Sequence, residues 1–165
     1  MERLWAPWRL AYVTTSGESA ACIFCDAWSE SRADDLVVFR GQTCYVILNL
    51  FPYNNGHLMV VPNRHFAQLA AAVPEELAEL MALVRLSEMV LTEAYRPNGI
   101  NVGLNLGKAA GAGVLDHLHV HLVPRWNGDT NFMTVVGDVR VLPEALEATA
   151  ARLRPLFARL HSEGR

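Results

Sequence analysis

The sequence predicts an α+β fold, with an antiparallel sheet of about five strands, one long internal helix and a C-terminal helix. Three observations carry this. Short β-rich runs bounded by turn residues lie on both sides of residue 74. One long stretch starting at Pro74 repeats its apolar residues at helical spacing, and a second amphipathic stretch closes the chain. Strands grouped around a single internal helix, rather than alternating with many, favour antiparallel pairing.

Taken in order, residues 1–13 carry Trp5, Trp8 and Tyr12 with Pro7, an arm held by its aromatics. Leu36–Phe39 and Cys44–Asn49 read as two strands of a hairpin, turning at Arg40-Gly41-Gln42. The turn cluster Pro52-Tyr53-Asn54-Asn55-Gly56 precedes a third strand, His57–Val61, closed by Pro62. Pro74 suits the first turn of the long helix, where Glu75 and Glu76 complement its dipole. Leu77, Leu80, Met81, Val84 and Leu91 mark one apolar face, and Pro97-Asn98-Gly99 stops the helix. Ile100–Leu106 and a histidine-rich run form the fourth and fifth strands. Phe132–Val136 is a candidate further strand, and Pro143–Leu160 is a closing helix that Pro155 bends. The expected organisation is one domain over 1–165, with an arm at 1–30, a core at 34–126 and a C-terminal strand and helix at 127–165.

A chain of 165 residues with 52% hydrophobic content is sized for one core. A net charge of −3 and a pI near 6.0 argue against a protein that coats nucleic acid or an anionic membrane. No run approaches the roughly 18–20 apolar residues of a membrane span. The N-terminus lacks the apolar segment of a signal peptide, and three cysteines suit a reducing compartment. A cytoplasmic location is expected.

The most informative segment is Asp116-His-Leu-His-Val-His-Leu-Val-Pro-Arg125. Side chains alternate along an extended chain, so His117, His119 and His121 share one side and Leu118, Val120 and Leu122 the other. Three imidazoles roughly 6.5–7 Å apart can bind a metal, hold phosphate oxygens, or supply a nucleophile with neighbours that tune it. Upstream, Gly107-Lys-Ala-Ala-Gly111-Ala-Gly113 is a small-residue loop whose backbone N–H groups a ligand oxygen can approach. A separate metal centre at the triad would require carboxylate help, and Asp116 points away along the strand. A histidine attacking phosphorus, with the loop amides neutralising the phosphate, uses both features. Cys22-Ile-Phe-Cys25 has the spacing for two corners of a tetrahedral zinc site, with His65 and His117 as candidates for the others. Cys44, within a strand, reads as a small core residue.

His117-Leu-His119-Val-His121-Leu-Val resembles the signature of the histidine-triad (HIT) superfamily, alternating histidines with apolar residues. Asn49 with Gly56-His57-Leu-Met-Val-Val-Pro62 resembles its nucleotide-cleft strand, and Asn101–Gly107 its phosphate-side strand. Leu4–Arg9 and His117–Phe132 are similar to the branch of bacterial diadenosine tetraphosphate phosphorylases. The resemblance implies a HIT-like fold and cleavage of dinucleoside polyphosphates through a covalent AMP–histidine intermediate, with phosphate or water as acceptor. It implies His119 as nucleophile, His121 at the scissile phosphate and His117 as an orienting group. Asn49 would meet the ribose or base; Asn105, Gly111, Ala112 and Gly113 the phosphates; and Trp126 the polyphosphate side. Zinc would bind Cys22, Cys25, His65 and His117, and the protein would be a two-fold homodimer. One departure stands out: many triad hydrolases carry Gly-Gln-Ser/Thr before the first histidine, where this chain has Ala112-Gly113-Val114-Leu115-Asp116. A missing hydroxyl weakens the hold on an incoming anion by about 0.5–1.5 kcal/mol. A non-catalytic nucleotide-binding protein is the reading from a different class.

Overall fold

Cys44–Leu48 and Leu58–Pro62 are apolar throughout and every one of their positions is buried, so both faces of the central strands must be covered. The computed structural model, which describes residues 22–29, 36–129 and 144–164, shows how. Its elements are α1 (Ile23–Trp28), β1 (Val37–Arg40), β2 (Cys44–Leu48), β3 (Leu58–Pro62), α2 (Pro74–Tyr95), β4 (Gly99–Leu104), β5 (Val120–Arg125) and α3 (Leu146–Glu163). The five strands form one antiparallel sheet in the order β1-β2-β3-β5-β4.

Alternation sorts each strand between two cores. Cys44, Val46, Leu48, Leu58 and Val60 face α2 and α3, meeting Leu80, Leu83, Val84, Val90 and Leu91 of one and Leu153 and Phe157 of the other. Tyr45, Ile47, Met59 and Val61 face the opposite way and pack on Phe24 of α1. Burial of such side chains contributes roughly 1.5–3 kcal/mol each. Burial also pushes the Cys44 thiol up to about 11, which leaves it an inert core residue as expected.

Among the described residues the predicted elements form, with shifted ends and three differences. Leu77 and Met81 do not belong to the buried face of α2: Met81 is 60% exposed. At ~100° per residue, the buried stripe through Leu80, Val84, Ser87 and Leu91 leaves Met81 well to one side. A short helix, α1, lies within what reads as an arm. The closing helix runs from Leu146 to Glu163 with Pro155 inside it. The aromatic arm at 1–13 and the candidate strand at 132–136 lie outside the described residues. Among the described residues no helix is long and apolar enough to cross a membrane.

Two side chains set the local geometry around the central strands. Glu79 of α2 accepts hydrogen bonds from the backbone N–H groups of Gln42, Thr43 and Cys44 and from the Thr43 hydroxyl, tying the β1–β2 turn to the helix. A side chain at Gly41 would collide with that carboxylate. Glu76 supplies the reciprocal half of a capping box, accepting from Val73 N–H at 2.9 Å, and pairs with Arg64 through two oxygens. At the other end, Gly56 adopts φ +71°, and a Cβ there would run into Tyr95. This turn delivers His57 to the start of β3.

Burial alone would raise the Glu79 carboxyl, but the Thr43 hydroxyl and the three amides outweigh it and hold the group below the usual range. A depressed folded value means stability that is present above the unfolded value and lost as pH falls through the folded one. Glu79→Gln is therefore expected to cost about 2 kcal/mol near neutral pH and progressively less under acid. Urea unfolding of both proteins at two pH values reads this; an unchanged difference would contradict it.

Candidate active site

The histidine run enters the sheet late. β5 begins at Val120, so only His121 lies in the ladder, opposite Met59 of β3 and Gly103 of β4. The reason is chemical. Continued pairing would place Leu118 against Pro62, which has no N–H to give, and the Leu118 N–H goes instead to the Phe66 carbonyl at 2.6 Å. Alternation persists regardless: Leu118, Val120 and Leu122 enter the helix-side core, while His117 and His119 pack on Phe24 with ring centroids 5.4 and 4.9 Å away.

Each imidazole has its proton placed by a partner with one fixed hydrogen-bonding role. His119 Nδ1 lies 2.9 Å from the His117 carbonyl, which can only accept, so Nδ1 carries the proton and Nε2 the lone pair. His119 is 5% exposed, and burial lowers its pKa and keeps it neutral. His117 is the opposite tautomer: its Nε2–H donates to the Pro62 carbonyl at 2.8 Å, leaving the Nδ1 lone pair. Burial, aided by the neighbouring His65 and His119, lowers the His117 pKa as well.

His121 is organised by a residue that the motif does not contain. His57, fully buried, accepts at Nδ1 from the Tyr53 backbone N–H at 3.1 Å, and the Asn49 amide lies 3.3 Å from the same nitrogen. Its proton is therefore on Nε2, which donates to His121 Nδ1 at 3.0 Å. That contact makes His121 Nδ1 an acceptor and puts its proton on Nε2. The site thus pairs a histidine with an unprotonated Nε2, His119, with one that presents an Nε2–H donor, His121; their ring centroids are 4.8 Å apart.

Cys22 and Cys25 meet His65 and His117. Cys22 Sγ is 3.3 Å from His117 Nδ1, and Cys25 Sγ is 3.4 Å from His65 Nδ1 and 3.6 Å from His117 Nδ1. All four ligand atoms lie within 4.8 Å of one another. Tetrahedral zinc with bonds of about 2.0–2.3 Å separates its ligand atoms by roughly 3.3–3.8 Å; the three thiol–imidazole distances fall in that range, and the widest separation in the set, up to 4.8 Å, closes by about 1 Å around a metal. The nitrogen that His117 turns to the thiols is the one the Pro62 bond leaves unprotonated, a second shell of the usual kind. The cysteines also open a helix, with Cys22 as its N-cap. Even so, two converging imidazoles make this a ligand set.

Beyond His121, the β4–β5 surface forms a cleft of about 380 Å³ lined by Tyr53, Asn101, Asn105, His121, Arg125 and Asp129, among others. Asn105 donates to the Gly111 carbonyl at 3.5 Å, linking the cleft to the glycine loop. Asn49 sits on the side of His57 away from His121, Gly111–Gly113 follow Asn105 outside the lining of this cleft, and Trp126 rests edge-on against Tyr95 of α2 with centroids 6.5 Å apart. His57 was legible only as part of a resembling strand. Its role depends on β3–β5 register, although a histidine directly after a turn glycine and before an apolar strand is a usable signal.

Comparison with known proteins is consistent with this geometry. A family model described as the HIT domain matches residues 30–128. A protein named AP-4-A phosphorylase from Mycobacterium tuberculosis (strain H37Rv) is 44% identical over 167 residues, covering 96% of this chain and 86% of that protein. The asymmetrical bis(5'-nucleosyl)-tetraphosphatase of Schizosaccharomyces pombe is 33% identical over 93 residues, covering 56% of this chain and 50% of that one. Among solved structures, a Zn-bound histidine triad family protein from Mycobacterium smegmatis aligns with a TM-score of 0.70 at 30% identity, covering 87% of this chain and 97% of its own.

The tautomers can be read directly. In long-range ¹H–¹⁵N spectra of the neutral protein, His119 is expected as the Nδ1–H form and His57, His117 and His121 as Nε2–H forms. An Nε2–H signal for His119 would contradict the assignment.

Proposed function

This chain belongs to the HIT family, and on that premise we propose that it cleaves dinucleoside polyphosphates of the diadenosine tetraphosphate type by adenylyl transfer to phosphate. The observation that carries the reading is the His119 Nδ1–H bond to the His117 carbonyl, which leaves a neutral, buried Nε2 lone pair beside a histidine N–H donor. The Mycobacterium tuberculosis relative named AP-4-A phosphorylase supports phosphate as acceptor.

In the first step His119 Nε2 attacks the α-phosphorus, an N–P bond forms, and the P–O bond to the leaving nucleotide breaks. The Nε2–H of His121 faces the charge that develops on that oxygen, and stabilisation of this kind is the largest catalytic term in most such sites. ATP departs and AMP stays on His119. In the second step a phosphate oxygen attacks phosphorus, the N–P bond breaks, and ADP leaves with His119 restored. Asn49 takes the retained nucleoside, while Asn105 and the amides of Gly111, Ala112 and Gly113 take phosphate oxygens. Trp126, which packs edge-on against Tyr95 one residue after Arg125, lines the polyphosphate side.

Zinc is the metal we propose for Cys22, Cys25, His65 and His117. Bound there it supplies no chemistry to phosphorus; it fixes α1 and the His65 turn to the segment that carries the nucleophile. We also propose a two-fold homodimer in the cytoplasm. Support comes from β4, one of the two edge strands of the described sheet, where Val102 stands 51% exposed. The modest negative charge of the chain supports a reading without nucleic-acid or membrane partners.

Incubation of the protein with diadenosine tetraphosphate and phosphate is expected to yield ADP plus ATP, and His119→Ala to lower turnover by at least ~10³-fold. AMP plus ATP would make water the acceptor. Binding without turnover would make this a nucleotide-binding protein instead. Elemental analysis is expected to find about one zinc per chain, with Cys22→Ser losing both metal and several degrees of melting temperature. Less than a tenth of an equivalent would contradict the site.

A further inference from the structure

The cleft beyond His121 contains a polar assembly that adenylyl transfer, as described, does not use. Arg125 ends β5 on the side that His121 and Val123 share, with four residues at ~3.3 Å each placing it about 13 Å along the strand. Its guanidinium is held in a fixed plane: Nε and Nη2 donate to the two oxygens of Asp129 at 2.6 and 2.9 Å, and Nη1 donates to Asn101 Oδ1 at 2.9 Å. Asp129 is itself held by the Asn54 amide at 2.8 Å and the Trp126 N–H at 3.2 Å. The arginine beside it keeps the Asp129 carboxyl below the usual range.

Four groups from three separate segments converge to orient one exposed side chain. A bidentate arginine–carboxylate pair adds geometric specificity as well as energy, so the arrangement presents the remaining guanidinium N–H groups in a set direction. Of five guanidinium N–H groups, three are engaged in this way among the described residues, and two face an external acceptor. Asn101, whose Oδ1 is taken by Arg125, has its amide N–H groups for the same purpose. The floor of the cleft between them and His121 is open: Gly103 pairs with His121, and a Cβ built there meets nothing within 4 Å.

Direction follows from the sheet. Asn49 approaches His57 from the β2 side, while the cleft extends from His121 toward β4. A substrate whose retained nucleoside lies by Asn49 and whose scissile phosphate lies at His119 therefore directs its departing half along the β4–β5 face. We propose that Arg125, set in place by Asp129 and Asn101, is a specificity-determining residue that binds the distal phosphate–ribose portion of the departing nucleotide. Because Asp129 offsets its charge, Arg125 selects by hydrogen-bond geometry, and it favours substrates with a long, nucleotide-bearing leaving group over those with a small one. This rests on the adenylyl-transfer reading above.

The test compares two substrates that donate the same adenylyl group: diadenosine tetraphosphate, and an AMP ester of a small phenol that cannot reach Arg125. For Arg125→Gln, kcat/KM for the first relative to the second is expected to fall at least ~10-fold, chiefly through a higher KM. Inhibition by product ATP should weaken in parallel. Gly103→Leu, which fills the cleft without backbone strain, should shift the same ratio in the same direction and serves as the second variant if Arg125→Gln unfolds. Equal losses on both substrates, or no change in the ratio in either variant, would overturn the proposal. Turnover of neither substrate by the unaltered protein would instead contradict adenylyl transfer itself.

Discussion

The hydrogen bond from His119 Nδ1–H to the carbonyl of His117 is the constraint on which the site depends. A backbone carbonyl has no proton to give, so the bond admits one tautomer of the ring and leaves Nε2 as the only nucleophilic nitrogen. Burial acts in the same direction by disfavouring the imidazolium. Two residues in sequence thus achieve what many nucleophilic sites assign to a separate carboxylate. The cost is that the backbone at His117 must be held still, and most of the surrounding structure does that.

His117 is fixed from both of its ring nitrogens. Nε2–H reaches the Pro62 carbonyl at the end of β3, and Nδ1 turns toward two thiols and His65. Pro62 serves twice: lacking an N–H, it ends the β3–β5 ladder, and its carbonyl fixes the first histidine of the run. Release of the chain from the ladder lets His117 reach the cysteine cluster while His121 stays in register against Met59. The second relay, from Tyr53 N–H through His57 to His121, fixes the proton on His121 Nε2.

Much of this was legible because it is local. Period-two alternation separates His117, His119 and His121 from Leu118, Val120 and Leu122, and that separation survives even where ladder pairing stops. The Cys22-x-x-Cys25 spacing and the two histidine candidates required only ligand chemistry, and all four residues meet. What escaped was decided by register and packing. His57 gains its role only when β3 lies against β5, and Arg125 only when Asp129 folds back from the turn after β5. Met81 fits the apolar spacing of α2 but falls beside the stripe that the sheet covers. Trp126 sits one residue past the face that His121 shares with Arg125 and packs on Tyr95, a contact that depends on how the end of β5 meets α2.

Trapping the covalent intermediate tests the central claim most directly. The protein would be mixed with diadenosine tetraphosphate in the absence of phosphate, quenched in base within the first turnover, and mapped by peptide mass spectrometry. AMP is expected on the peptide spanning the histidine run, with fragmentation placing it on His119, and at near-stoichiometric levels. AMP on His121 or His117, or ATP release without any labelled histidine, would contradict the account.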